Sequence, residues 1–292
     1  MPILHAIILG ITQGLSEFLP ISSSGHLLVV PWLFGWNDFL VNGVHSDSLE
    51  KTFDVALHIG TLIGAIAYFR ADIATLVRAA FTRPSKEVVV TKGTLAQDHP
   101  TMEDDRRLAW LLIVASIPGA VVGALFEKTI EDHLGQIWLI GVMLVVFGLV
   151  LYAADKLLGE RHVIEFRLRD ALIMGAGQAL ALSPGVSRSG ITMTFGRWLR
   201  FDRDAAARLS FLMAIPITGG AVLFKTAKML HDGFPHGFAG PFIWGIIASG
   251  LTGYAAVWGL LKLIRSQGFT PFVIYRVVAG TAIILLYVTG AR

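Results

Sequence analysis

Two apolar stretches of this chain are interrupted in the same way, and that limits what it can become. The first starts at Ile3, meets Gln13, Glu17 and Pro20, breaks at Ser22-Ser23-Ser24-Gly25-His26 and resumes at Leu27–Phe34. The second runs Ala171–Leu182, breaks at Ser183-Pro184-Gly185-Val186-Ser187-Arg188-Ser189-Gly190 and resumes at Ile191–Leu199. Clustered proline and glycine stop a helix. Arms of about 10–15 residues reach about 15–22 Å, well short of a ~30 Å hydrocarbon core. Each stretch is therefore expected to be a re-entrant hairpin: helix in, loop near the midplane, helix out on the same side. One kinked spanning helix is the alternative, and the run of successive breakers weighs against it. Irregular backbone at that depth is tolerated only where it is buried in protein or lines a wet cavity.

The solvent for these hairpins is set by composition. Of 292 residues, 54% are hydrophobic and 15% charged, against about 25% charged in soluble domains. Six further runs are long enough, or nearly so, to span: Phe53–Phe69, Leu108–Phe126, Ile137–Ala154, Leu209–Phe224, Phe242–Leu261 and Phe272–Thr289. The expected fold is an all-α integral membrane protein with six transmembrane helices and two re-entrant helical hairpins. No cysteine is present, which excludes disulfides and thiolate chemistry. The N-terminus carries no basic region ahead of its apolar run and reads as mature structure, not a signal peptide.

The two hairpins are related. At a constant offset of 165, Gly10, Gln13, Leu15, Ser22, Ser24 and Gly25 match Gly175, Gln178, Leu180, Ser187, Ser189 and Gly190. Each is followed by three candidate spans, so residues 1–157 and 158–292 are expected to be two repeats within one membrane domain. A hairpin returns to its own side and three spans are odd in number, so the second repeat must be inverted. Charge supports this independently. Arg70–Arg107 holds seven Lys and Arg, and Lys156–Arg169 and Arg197–Arg208 hold four each, while the intervening loops are poor. The rich loops belong in the cytoplasm, which also accounts for the net charge of +3 without nucleic acid. Both termini and the entry of the first hairpin then lie outside, and the second hairpin enters from the cytoplasm. The cytoplasmic loop near 70–107 is expected to be a solvated connector with an interfacial helix at Ala71–Ala80.

Charged residues at membrane depth usually mark a function or a pairing. Glu17 and Arg188 could simply pair and hold the hairpins together, but that leaves the hydroxyls unexplained. Ser22, Ser23 and Ser24 would cap a helix starting near Gly25, and Ser187 with Ser189 one starting near Gly190. Two helix N-termini converging on Arg188, with Thr192 nearby, describe a phosphate or diphosphate cradle. Gln13 and Glu17 share a helix face and could hold Mg²⁺ or Ca²⁺ against phosphate oxygens. His26 could act as general acid, base or nucleophile. Asp54 and His58 form another i,i+4 pair at the start of the first span and are candidates only to support the residues that touch a ligand. The Pro184–Ser189 loop lacks Gly-Lys-Ser/Thr and is not a nucleotide P-loop.

Gln13-Gly14-Leu15-Ser16-Glu17-Phe18-Leu19-Pro20-Ile21-Ser22-Ser23-Ser24-Gly25-His26 and Pro184-Gly185-Val186-Ser187-Arg188-Ser189-Gly190-Ile191-Thr192 closely resemble the two signature motifs of the bacterial undecaprenyl-diphosphatase (bacitracin-resistance) family. Phe53-Asp54-Val55-Ala56-Leu57-His58-Ile59-Gly60 and Phe272-Val273-Ile274-Tyr275-Arg276 also look like family segments. The resemblance implies removal of the terminal phosphate from undecaprenyl diphosphate at the outer face of the cytoplasmic membrane. That recycles the lipid carrier for peptidoglycan, with a divalent cation required. It further implies that Glu17 is the essential acid, that Ser23 and His26 are catalytic and that Arg188 binds diphosphate. Gln13 stands where the family has Glu or Gln, and Arg276 matches a family arginine. The other reading is a transporter or flippase of a polyprenyl phosphate or phospholipid, since inverted repeats are transporter architecture. The hydroxyl–imidazole–carboxylate–arginine set favours the enzyme. A dual enzyme–flippase and a purely structural scaffold are further alternatives, and a homodimer is compatible with the sequence.

Overall fold

The computed structural model describes residues 1–41, 44–82, 101–232 and 238–291. Its helices are α1 (Ile3–Phe18), α2 (Ser23–Phe34), α3 (Asp47–Tyr68), α4 (Arg70–Phe81), α5 (Met102–Leu134) and α6 (Ile137–Asp155), followed by α7 (Leu168–Leu180), α8 (Arg188–Trp198), α9 (Arg203–Asp232), α10 (Ala239–Gln267) and α11 (Thr270–Val288). A two-residue antiparallel pairing of Leu40–Val41 with Val44–His45 is the strand content of the described residues.

Five helices are long and apolar enough to cross a membrane: α5, α6, α9, α10 and α11. The bent pair α3–α4, turned by 83° at its break, passes together as a sixth. The chain is an all-α, multi-pass membrane protein. Four of the six expected spans lie inside one of these helices, and Phe53–Phe69 and Phe272–Thr289 run one residue past the ends of α3 and α11. The segment expected to lie along the interface is the helix α4, while Met102–Arg107, expected in the connector, is the first turns of α5. Arg83-Pro84-Ser85-Lys86 lies outside the described residues.

Both interrupted stretches fold as helix–break–helix. α1 ends as Leu19 turns extended ahead of Pro20, as the residue before a proline prefers. α2 starts at Ser23, with Ser22 as its N-cap, and α8 starts at Arg188, with Ser187 as its N-cap. The helices therefore begin two residues earlier than the serine pattern suggested. One serine of each cluster is enough to cap, so Ser23, Ser24, Arg188 and Ser189 fall in the first turn. α1 packs on α2 and α7 on α8. Each first arm also docks on the other half, α1 against α10 and α7 against α5, and α3 meets α9 while α6 meets α11. The α1–α10 approach depends on Gly14. A Cβ there would strike Thr252 Oγ1 and stand 2.6 Å from Ser249 O. Small residues let membrane helices approach this closely.

The breaks leave backbone carbonyls without helical partners, and Arg276 on α11 gathers them. Its side chain is fully buried. Nη1 donates to Pro20 O (3.0 Å) in the first break, and Nη2 to Gly185 O (2.9 Å) and Val186 O (3.1 Å) in the second. Nε donates to Leu144 O (3.0 Å) and Nη2 also to Met143 O (3.3 Å) on α6. One guanidinium thus joins both loops to α6.

Two outcomes test these contacts. Gly14→Leu should destabilise the protein by about 1–3 kcal/mol through overpacking, seen as a lower unfolding midpoint in mixed micelles. Arg276→Met should cost about 3 kcal/mol or more, because several buried carbonyls lose their donor. Arg276→Lys should fall between it and the wild type. An unchanged midpoint in Arg276→Met would contradict the clamp.

Candidate active site

The two loops are built alike. Ser22 has φ 78° and Ser187 φ 75°, a region non-glycine residues seldom adopt. Ser22 Oγ accepts from Gly25 N (3.4 Å) and Ser187 Oγ from Gly190 N (3.1 Å). Ser22 Oγ also accepts from Gly185 N (3.0 Å), stitching the first loop to the second. The reciprocal bond would come from the residue 165 positions before Gly185, which is Pro20 and has no N–H. Ser187 Oγ instead meets Ser189 Oγ (3.2 Å), and Ser189 Oγ donates to Leu19 O (3.0 Å). Thr192 is buried, donating to Arg188 O (2.8 Å) and lying 2.6 Å from Ser210 Oγ. Ser22, Ser187, Ser189 and Thr192, expected to face a ligand, thus make hydrogen bonds that shape the loops. Ser24 is exposed on the first turn of α2.

Where the two repeats differ, charge appears. Glu17 corresponds to Leu182, and Ser23 to Arg188. Glu17 is buried in the last turn of α1 and its Oε1 pairs with Arg188 Nη2. Its Oε2 accepts from Ser23 Oγ (2.6 Å) and from Gln13 Nε2 (3.1 Å). Arg188 Nη1 donates to Thr218 Oγ1 (2.7 Å) and Ala214 O (3.3 Å) on α9. A narrow cleft opens here between α1, α3, α8 and α9, lined by Glu17, Phe18, Thr61, Leu62, Ala65, Arg188, Ala214, Ile215 and Thr218. It has a polar end and an apolar wall. The N-termini of α2 and α8 add partial positive charge nearby. The carboxylate holds the serine hydroxyl and the guanidinium at once, so it can take a proton from one while the other binds an anion.

His26 belongs to a different set of contacts. Its Nδ1 lies 2.7 Å from Ser22 O and its Nε2 2.6 Å from Tyr275 OH. A carbonyl can only accept, so Nδ1 donates and Nε2 accepts the tyrosine proton. His58, on α3, donates from Nδ1 to Asp54 O (2.8 Å), a backbone bond and not a carboxylate one. Its Nε2 stands 3.7 Å from Glu17 Oε2. Tyr275 and Thr218 were not singled out as site residues from sequence alone. Tyr275 had a signal in the segment it shares with Arg276. Thr218 lies inside an apolar run and had none.

The oxygens around Glu17 suit a hard cation. Gln13 is fully buried, its Nε2 faces Glu17 Oε2 and its Oε1 makes no hydrogen bond; with the amide turned over, that oxygen would join the Glu17 carboxylate and the Ser23 hydroxyl in a set of the kind Mg²⁺ and Ca²⁺ prefer. Among the described residues no group of three His, Cys, Asp or Glu side chains is placed to hold a metal ion.

The family model for "Bacitracin resistance protein BacA" matches residues 6–282. A protein of Pelobacter propionicus named "Undecaprenyl-diphosphatase" is 43% identical over 294 residues, 99% of both chains. Proteins of the same name from Pelotomaculum thermopropionicum and Geobacter sulfurreducens are 44% and 43% identical, covering 98% and 97% of this chain and 97% and 98% of their own. A match this long, over a site whose two loops meet at one ion pair, leaves one conclusion: the chain belongs to the bacitracin resistance protein BacA family.

Proposed function

We infer that this protein is an undecaprenyl-diphosphate phosphatase, a phosphoric anhydride hydrolase that releases inorganic phosphate and leaves undecaprenyl phosphate. The observation that carries this is Glu17, bonded at once to Ser23 and Arg188 at the junction of the two loops. Family membership and the relatives' names agree with it. The product is the lipid carrier in reusable form for peptidoglycan synthesis, and carrier recycling fits the bacitracin resistance in the family's description.

The finer topology belongs to the same proposal. α3, α5, α6, α9, α10 and α11 cross the cytoplasmic membrane, and α1–α2 and α7–α8 are re-entrant hairpins of two inverted repeats, 1–157 and 158–292. Reciprocal docking of α1 on α10 and α7 on α5 supports this, as does the alternation of basic loops. Arms of 16, 12, 13 and 11 residues are short for spans. The site then opens to the outer side. A carrier that rocked one hairpin against the other would have to break the Arg276 bonds to both loops and the Ser22–Gly185 bond, which disfavours transport.

In the mechanism, the isoprenoid chain lies in the bilayer and the diphosphate enters between the loops. Arg188, released in part from Glu17, binds phosphate oxygens through its planar fork. Ser23 Oγ attacks the terminal phosphorus while its proton passes to Glu17. The bridging P–O bond breaks and undecaprenyl phosphate departs. Glu17 gives that proton up to the departing phosphate; water then attacks the phosphoserine as Glu17 takes one of its protons and returns it to Ser23 Oγ, so inorganic phosphate leaves and both groups are restored. A divalent cation held by Glu17, Gln13 and Ser23 would neutralise charge on the phosphate oxygens. Most of the rate comes from positioning and electrostatics. His26 and Tyr275 hold the first turn of α2 and, with it, Ser23.

Phosphate release from undecaprenyl diphosphate by purified protein in detergent, without a gradient, is the test. Glu17→Gln, Arg188→Ala and Ser23→Ala should each slow it by about 100-fold or more. Wild-type rates in both Glu17→Gln and Arg188→Ala would end the assignment. Acid quenching with terminally labelled substrate should leave phosphate on Ser23. Label on His26, or none under single-turnover conditions, would remove Ser23 as nucleophile.

A further inference from the structure

We propose that His58 is a nitrogen ligand of the divalent cation, so that the cation site spans α1, α2 and α3. This deepens the phosphatase proposal and rests on it for the diphosphate that completes the site. Three observations meet at Glu17 Oε2. First, His58 Nδ1 donates to Asp54 O at 2.8 Å. In the neutral ring that bond fixes the tautomer and leaves a lone pair on Nε2, the arrangement metal-binding histidines use. Second, Nε2 is 3.7 Å from Glu17 Oε2, too far for a hydrogen bond. A lone pair and a carboxylate oxygen facing each other repel unless a positive charge stands between them. Third, Gln13 donates from Nε2 to the same carboxylate oxygen while its Oε1 is buried without a partner, and turning the amide over would present that oxygen to an ion there.

His58 has access to an incoming ion. Its side chain is 34% exposed, while that of Glu17 is 5% exposed. Arg188 already balances the charge of Glu17, so the protein groups alone sum to about zero. The cation therefore binds firmly only when phosphate oxygens add negative charge. An imidazole nitrogen also changes which ions fit. Oxygen donors alone suit Mg²⁺ and Ca²⁺, whereas a nitrogen donor favours Mn²⁺ and Co²⁺ over Ca²⁺.

The probe is Mn²⁺ with methylene diphosphonate, which is not hydrolysed, added to full-length protein in nanodiscs with ¹⁵N-labelled histidine. Pulsed electron paramagnetic resonance reads nitrogen coupled to the metal without any turnover. The wild type should show one coupled histidine nitrogen. His58→Gln should lose the coupling and weaken Mn²⁺ binding by about 10-fold or more. His26→Asn should keep the coupling. No coupled nitrogen in the wild type, or coupling that survives His58→Gln, overturns the proposal. A protonated His58 paired with Glu17 would give that first result. Phosphate release by the wild type would still stand in either case, so failure here is distinct from failure of the phosphatase proposal.

Discussion

A broken helix inside a membrane must find partners for its exposed backbone groups within the protein. Here that requirement falls largely on Arg276. Its guanidinium binds carbonyls in both loops and on α6, and Ser22 adds a bond from the first loop to Gly185 N in the second. These contacts fix the distance between the two helix starts. Everything chemical in the site hangs from those starts, because Ser23 and Arg188 are the first residues of α2 and α8. The bonds Arg276 makes all go to carbonyls, so no carboxylate among them offsets its positive charge, which would favour an anion in the proposed site.

In the proposed phosphatase, function arises where the two related segments differ. The positions that make the loops, Ser22 with Ser187 and Gly25 with Gly190, are the same in both halves and bond alike. The positions that carry charge are not. Ser23 in one half corresponds to Arg188 in the other, and Glu17 stands where the second half has Leu182. Pro20, in place of Gly185, removes the one N–H that would have made the loop-to-loop bonding reciprocal. The first loop is thus left with an acid and a hydroxyl, and the second with a guanidinium. An anhydride can be held from one side and attacked from the other only after such divergence.

Much of this was written in the sequence as pattern. The six apolar runs, the two sets of breakers and the 165-residue offset are statements about side chains, and helices formed where they predict. The pairing of Glu17 with Arg188 was foreseen only as a structural alternative, yet it is the junction on which the proposed chemistry depends. What could not be read has a common cause: the partner is backbone or geometry. The partners of Arg276 are carbonyls, which leave no residue type to recognise. The start of α2 at Ser23 depends on a positive φ at Ser22, which three consecutive serines do not reveal. The α3–α4 break falls at Phe69, where the apolar run ends as read, but no residue type announces its 83° angle. The bonding of His26 to Tyr275 joins residues far apart in the chain.

The central claim is that both loops serve one phosphate-binding site. Solid-state NMR measures it most directly, through dipolar coupling between ³¹P of bound methylene diphosphonate and two labels in the same protein, the Arg188 guanidinium carbon and the Ser23 Cβ. Both labels should couple to the same terminal phosphorus, at distances that place Arg188 nitrogens and Ser23 Oγ within hydrogen-bonding reach of its oxygens. A phosphorus that couples to one label and leaves the other silent would contradict the account.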